Sequence, residues 1–324
     1  MTKKDIGKSG AAAAKPAKHV IVLGAGRMGA DIALAFAVGG WRCDVVEPDA
    51  AVRERATTYW AKELARLRRK SRSRSMKLHA SLDAINGRAA DLAIEAVPED
   101  MQAKHELLRR LEPLVGAKTI IATNTSSLRI SEVTSVLEKP ARGAGFHFSV
   151  PAHVMLIAEI TKGEKTSNST IRKLTQWTKE LGKVPLLINR DVPGMLINRI
   201  QHAMYREIYS LIDSGVATPH DIDCAVRFGF GFRYNIIGPV MSRDIHGLPV
   251  HLATARQLYP TLHNGREPGK VLVDLVDKGH HGVTTGRGFY AWPKKTTAKR
   301  LERFATLLDE SYKRIERFGE PSDF

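Results

Sequence analysis

Short apolar runs alternate with longer stretches whose apolar positions recur every three or four residues. His19-Val-Ile-Val-Leu23, Cys43–Glu47, Asp91–Val97, Thr119–Thr123, Gly143–Phe148 and Val154–Ile160 read as buried strands, the third of them ended by Pro98. Between them lie predicted helices over 27–39, from Pro48-Asp49 into a basic stretch, and over 100–114 with Leu107, Leu108, Leu111 and Leu114 on one face. Strands alternating with helices predict a parallel, doubly wound α/β sheet. Asp191-Val-Pro193-Gly194 punctuates the chain, and the strand signal ends there. Met195–Ser214 has helical spacing through Leu196, Ile200, Ala203, Ile208 and Leu211. Further helices follow, joined at Gly238-Pro239, Gly247 and Pro268-Gly269. The last, 294–318, carries Leu301, Phe304, Leu307, Leu308, Tyr312 and Ile315 as a stripe for core or interface packing. The pattern divides the chain into a tail, 1–17, an α/β domain, 18–190, and an all-helical domain, 191–324.

The first strand runs into Gly24-Ala-Gly26-Arg-Met28-Gly29, and Glu47 closes the second. In a strand–turn–helix–strand unit Gly24 permits the tight turn. Gly26 lets backbone approach a pyrophosphate, and Gly29 lets helix and sheet pack closely. The phosphates then lie at a helix N-terminus, where free N–H groups and the dipole favour anions. This is the Rossmann-type dinucleotide arrangement. Gly24, Gly26, Met28 and Gly29 become cofactor residues, and Glu47 a partner for the ribose hydroxyls. A carboxylate there favours NAD and repels the 2′-phosphate of NADP.

Composition adds limits. The 324 residues suffice for two cores, and 43% of them are hydrophobic, as a globular protein requires. No apolar stretch is long enough for a membrane span, and the N-terminus lacks the apolar core of a secretory signal. The chain is expected in the cytoplasm, and there its two far-separated cysteines, Cys43 and Cys224, read as free thiols rather than a disulfide. The net charge is +16, concentrated in 1–18 and in 66–77. Basic clusters attract nucleic acid, but no recognition motif or interleaved aromatic residue accompanies these. A solvated face and a positive rim for an anionic substrate remain.

Phe146-His147-Phe148 ends one strand, and Glu159 lies on the next. A histidine beside a carboxylate is a general-base arrangement, and equally a hydrogen-bonded structural pair. Together with Glu95-Ala-Val-Pro-Glu99-Asp, Asn124-Thr-Ser126-Ser127-Leu, Asp191-Val-Pro-Gly194…Asn198-Arg199 and Thr285-Gly286-Arg-Gly288-Phe-Tyr290, the pair resembles the L-3-hydroxyacyl-CoA dehydrogenase family over 18–292. The resemblance implies a reversible NAD-dependent oxidation of a 3-hydroxyl, on an acyl-CoA of fatty-acid metabolism, in a homodimer held by the helical domain. It makes His147 the general base, Glu159 its orienting carboxylate, Ser126 a donor to the reacting oxygen, and Asn198 a positioning group. It assigns Glu99, Lys104 and Asn124 to the cofactor. Read as residues alone, Ser126 and Ser127 are also helix or turn caps, Asn198 a backbone partner, and Lys104 a solvated helix residue.

Two departures open an alternative. Val150 stands where the family has Asn or Ser before proline, with Ser149 one residue earlier. His153 reads as a surface or packing residue. The segment Gly229-Phe-Gly231-Phe-Arg233-Tyr234 through Gly238-Pro239 is similar to relatives that oxidise small free acids or alcohols, such as carnitine, gulonate and pyridine-carboxylate dehydrogenases. There Arg233 would fork onto a substrate carboxylate, or pair with a protein acid. The basic helical arm at 66–77, where acyl-CoA enzymes hold the CoA nucleotide, is short.

Overall fold

The computed structural model describes residues 17–69, 72 and 75–318. The predicted tail, 1–17, thus lies almost wholly outside the described residues. The chain forms two compact units, one through Leu196 and one from Ile197. The first unit is built on an eight-stranded sheet of order β3-β2-β1-β4-β5-β6-β7-β8. Its strands are β1 (His19–Leu23), β2 (Arg42–Val46), β3 (Met76–His79), β4 (Leu92–Glu95), β5 (Ile120–Thr123), β6 (Gly143–Phe148), β7 (Ile157–Thr161) and β8 (Val184–Ile188). Its helices are α1 (Arg27–Val38), α2 (Ala50–Arg66), α3 (Met101–Leu111), the short α4 (Ile130–Val133) and α5 (Asn168–Glu180).

The central strands are buried on both faces, which is why they read as continuous apolar runs. Val20 and Val22 enter one core layer with Phe36, Trp41, Trp60, Phe146 and Trp177. Ile21 and Leu23, pointing the other way, join Leu108, Leu111, Ile121 and Val133. Edge-to-face aromatic pairs, Phe36–Trp41 at 5.0 Å and Trp41–Trp177 at 5.3 Å, fill the first layer.

The sheet is not wholly parallel. β7 runs antiparallel to β6, and β8 parallel to β7. The 149–156 connection is the cause, because a parallel return takes roughly a dozen or more residues. The start of the predicted 154–160 strand is therefore turn, and the strand begins at Ile157. Three elements lie outside the expected set: the half-buried edge strands β3 and β8, and α5, an amphipathic helix that buries Thr170, Leu174, Trp177 and Thr178.

The basic stretch is not a helical arm. α2 ends at Arg66, Arg68 has φ 54, and Lys77 already lies in β3. Residues 70, 71, 73 and 74 of it lie outside the described residues. Strand β3 is pinned by a buried cluster in which His79 and His19 donate to Asp44, at 2.8 and 2.6 Å. The hydrogen bond from His19, with that from His79, holds the Asp44 carboxyl down at about 2 against burial.

The second unit is helical: α6 (Ile197–Asp213), α7 (Pro219–Cys224), a π-helical turn (Ala225–Gly231), α8 (Pro239–His246), α9 (Leu248–Leu258), α10 (Lys270–Asp277) and α11 (Lys294–Phe318). Among the described residues of this unit, the β pairing is confined to isolated bridges at Gly282, Arg287 and Ala291. The units divide a few residues beyond the predicted boundary near 190. Asp191 still belongs to the sheet unit, where its carboxylate accepts from the Ile130 and Ser131 amides that begin α4. The predicted 195–214 helix starts late because Met195 has φ 51.

Lys183, just before β8, is buried and donates to the Met155 carbonyl at 2.5 Å. Burial lowers its pKa to about 8. The folded value lies below the unfolded one, so the charged form costs the native state below pH 8, and that cost fades as pH rises towards 10.5. Lys183→Met is therefore expected to raise unfolding stability by about 1–3 kcal/mol at pH 7. Urea denaturation at pH 7 and 10 should show the gain shrinking at the higher pH.

Candidate active site

The site grows from the carboxyl ends of the parallel strands, around the switch point where β1 lies between β2 and β4. Gly24 leaves β1 with φ +95, and its amide donates to the Val46 carbonyl at 2.8 Å. Gly26 is the N-cap of α1 and offers no side chain to the helix N–H groups. A Cβ at Gly26 would meet nothing within 4 Å, whereas one at Gly29 would lie 2.0 Å from the Gly24 carbonyl oxygen. The first glycine leaves room for a ligand; the second lets two pieces of backbone touch. Met28 is half-buried and packs on the core. Glu47 accepts the Ala25 amide at 2.9 Å and the Asp49 amide at 3.0 Å, which fixes its carboxylate beside the glycine turn. An uncapped helix end, an open cradle and a fixed carboxylate fit a dinucleotide.

A buried charge network supports the next loop. Glu95, at the end of β4, accepts from Lys104 Nζ and Thr123 Oγ1, both at 2.6 Å, and from the Val97 amide at 2.8 Å. Lys104 is not a solvated residue; its side chain is 1% exposed, and Glu99 stands 3.3 Å away on its other side. Glu99 gathers the loop after β5. One of its oxygens accepts from the Thr125 hydroxyl, from the Ser126 and Ser127 amides at 3.0 Å each, and from the Ser127 hydroxyl at 2.9 Å. Burial opposes its ionisation, but these donors and Lys104 outweigh it and hold the carboxyl at about 2. Among the described residues the Ser126 hydroxyl makes no hydrogen bond. Asn124 Oδ1 accepts the Phe148 amide at 2.9 Å, tying this loop to β6.

His147 pairs in register with Glu159 across β6 and β7. Its Nδ1 donates to Glu159 Oε2 at 2.7 Å, since a carboxylate only accepts. The other oxygen of Glu159 accepts the Leu196 amide at 2.9 Å, and the side chain is 1% exposed. With Nδ1 so engaged, a neutral His147 carries its acceptor lone pair on Nε2. The structure thus gathers Gly24, Gly26, Met28, Gly29, Glu47, Glu99, Lys104, Asn124, Ser126, His147 and Glu159 at one edge of the first unit. Asn198 lies in the first turn of α6, in the other unit. Arg233 follows the π-helical turn, donates to the Gly229 carbonyl at 2.9 Å, and lies over the Phe232 ring.

Sequence reasoning missed Glu95 as the hub of the network and Asp191 as the cap of α4. It also gave His153 no buried charge, although the structure places it against Asp31. An acidic residue inside the apolar run of α1 was the available signal.

Residues 19–192 match the NAD-binding domain of 3-hydroxyacyl-CoA dehydrogenase, and residues 194–292 match its C-terminal domain. The chain belongs to the 3-hydroxyacyl-CoA dehydrogenase family. It is an NAD-dependent oxidoreductase acting on CH–OH groups. A probable 3-hydroxybutyryl-CoA dehydrogenase of Bacillus subtilis is 33% identical over 290 residues, 86% of this chain and 99% of the relative. Among solved structures, a 5-formyl-3-hydroxy-2-methylpyridine 4-carboxylic acid 5-dehydrogenase, described as an NAD+-dependent dismutase, superposes with TM-score 0.85 at 28% identity, covering 93% of this chain and 99% of that one. The (S)-3-hydroxybutyryl-CoA dehydrogenase of Ralstonia eutropha gives 0.69 at 32% identity, covering 86% and 100%.

The two glycines separate fold from ligand. Gly29→Ala is expected to cost about 1–3 kcal/mol in urea unfolding, through the backbone clash. Gly26→Ala should cost at most about 1 kcal/mol, the difference between glycine and alanine as N-caps, and weaken NADH binding at least tenfold in a fluorescence titration.

Proposed function

We propose that this dehydrogenase uses His147 as its general acid–base and acts on a small, carboxylate-bearing hydroxy compound or its carbonyl counterpart. The hydrogen-bonded chain Leu196–Glu159–His147 carries the first part of that reading. The glycine turn and Glu47 would hold NAD, which would supply the hydride acceptor. His147 Nε2 takes the hydroxyl proton, and the imidazolium so formed is stabilised by Glu159, which is buried and already oriented. The Ser126 hydroxyl donates to the oxygen on which carbonyl character develops, and Glu99 holds the Ser126 amide in place. Asn124 fixes the end of β6, and Asn198 orients the substrate. In the reducing direction His147 is the acid.

Two observations support the small-acid substrate. The fit to the pyridine-carboxylate enzyme extends over 93% of the chain. The basic stretch that would clasp a CoA nucleotide leaves its helix at Arg66. Arg233 is the carboxylate partner in this reading. The second reading, an acyl-CoA thioester, is favoured by the relative matched over 99% of its length. In both readings the chain works as a homodimer through its helical unit, whose Ile200, Val240 and Val250 are 60%, 78% and 65% exposed. Nucleic acid has no role in either. Among the described residues no helix is long and apolar enough to cross a membrane. The free thiols Cys43 and Cys224 fit a cytoplasmic setting.

His147→Ala should lower kcat by about 10²–10⁴-fold, the usual worth of a positioned acid–base, with NADH affinity unchanged. A near-normal rate would remove His147 from that role. Absorbance at 340 nm with NAD decides the substrate, using 3-hydroxybutyryl-CoA, carnitine, gulonate, free 3-hydroxybutyrate and 5-formyl-3-hydroxy-2-methylpyridine 4-carboxylate. A free acid should be turned over, and Arg233→Ala should raise its KM at least tenfold. Turnover of the thioester alone would transfer the assignment to the second reading.

A further inference from the structure

One buried charged cluster has no task in this mechanism. Asp31 is 2% exposed on α1, whose other buried residues are apolar or glycine. A buried carboxylate is costly without partners, and its partners come from two other elements. The Tyr59 hydroxyl, on α2, donates to Asp31. Burial and the Asp31 charge push the Tyr59 phenol up, so it remains a donor. His153 Nδ1 stands 3.2 Å from the same carboxylate. Its Nε2 is buried and lies 3.5 Å from Glu63 of α2, in ion-pair range without a hydrogen bond. The Tyr59 and His153 rings meet edge to face at 6.2 Å.

His153 sits in the 149–156 connection, between the strand that carries His147 and the strand that carries Glu159. The second half of this connection is tied down by Lys183 on the Met155 carbonyl and by the Val184 amide on the Leu156 carbonyl. The first half is held inside by Ala152 and His153, 1% and 2% exposed. Just before them stand Ser149 and Val150, the latter 39% exposed. For packing alone, apolar side chains of this volume serve as well or better than buried charges. Hydrogen bonds instead favour one orientation, here through the Tyr59 hydroxyl and His153 Nδ1 on the Asp31 carboxylate.

We propose that His153 is a positioning residue for the dehydrogenase reaction: Asp31 of α1 and Tyr59 and Glu63 of α2 hold it, and it fixes Ser149 and Val150 beside His147 as contacts for the substrate. The inference rests on His147 being the acid–base. It also couples the helix that begins at the glycine turn to the loop over the catalytic pair.

The test compares His153→Ala and Tyr59→Phe, which removes one oxygen and keeps the ring. The assay substrate is the panel compound turned over fastest. Expected are a KM raised at least tenfold in His153→Ala and about threefold in Tyr59→Phe, with kcat within threefold and the NADH dissociation constant within twofold. Hydrogen exchange measured with NADH bound should accelerate in 149–156 and not in β6 or β7. A fall in thermal stability with KM unchanged would mean packing only and overturn the proposal. Unaltered exchange at 149–156 in both variants would overturn it too. If His153→Ala does not fold, Tyr59→Phe alone decides. His147→Ala separates the two claims: its survival as an active enzyme removes the acid–base, while the exchange arm still judges His153.

Discussion

The reversal of chain direction between β6 and β7 is the constraint on which the site depends. A parallel sheet presents its strand ends one after another, each followed by a long crossover. Here the chain turns back at once, and the register sets Glu159 opposite His147. The pair is thereby held by backbone hydrogen bonds on both sides, with no reliance on side-chain packing for its spacing. The remaining oxygen of Glu159 is taken by a backbone amide, so the carboxylate has one orientation.

Around that pair the protein spends its polar groups on shape. Glu99 does not lie idle until a cofactor arrives; its oxygen gathers four donors and moulds the Thr125–Ser127 loop. Lys104 stands between Glu95 and Glu99, 2.6 and 3.3 Å from their carboxylate oxygens. Such networks favour one arrangement over its near neighbours more than they add stability. Lys183 follows the same logic, since a buried ammonium facing one carbonyl is retained at a net cost.

Much of this was legible in the sequence. The glycine turn with Glu47 follows from local backbone demands, and local demands survive without knowledge of the rest of the fold. The His147–Glu159 pair was legible only by resemblance, because spacing alone does not say that two strands run antiparallel. Edge strands β3 and β8 escaped detection because half-buried strands have neither a continuous apolar run nor clean alternation. The basic 66–77 stretch was misread as a helical arm. Arginine and lysine favour helices, but the turn at Arg68 and the pairing of β3 with β2 override that preference. Asp31 and His153 lie 122 residues apart, beyond any periodic signal.

The bare first turn of α1 has a consequence for the life of the protein in the cell. With glycine at its cap, the helix leaves its end groups to solvent until an anion arrives, so the ligand-free fold lacks a contribution that other helices draw from Ser or Asp. A ligand that binds only the folded chain stabilises it by about 2.7 kcal/mol at a hundredfold excess over its dissociation constant. The steady-state amount of this enzyme would then follow the supply of its own dinucleotide. Chains emptied by scarcity would be the first to reach the proteases.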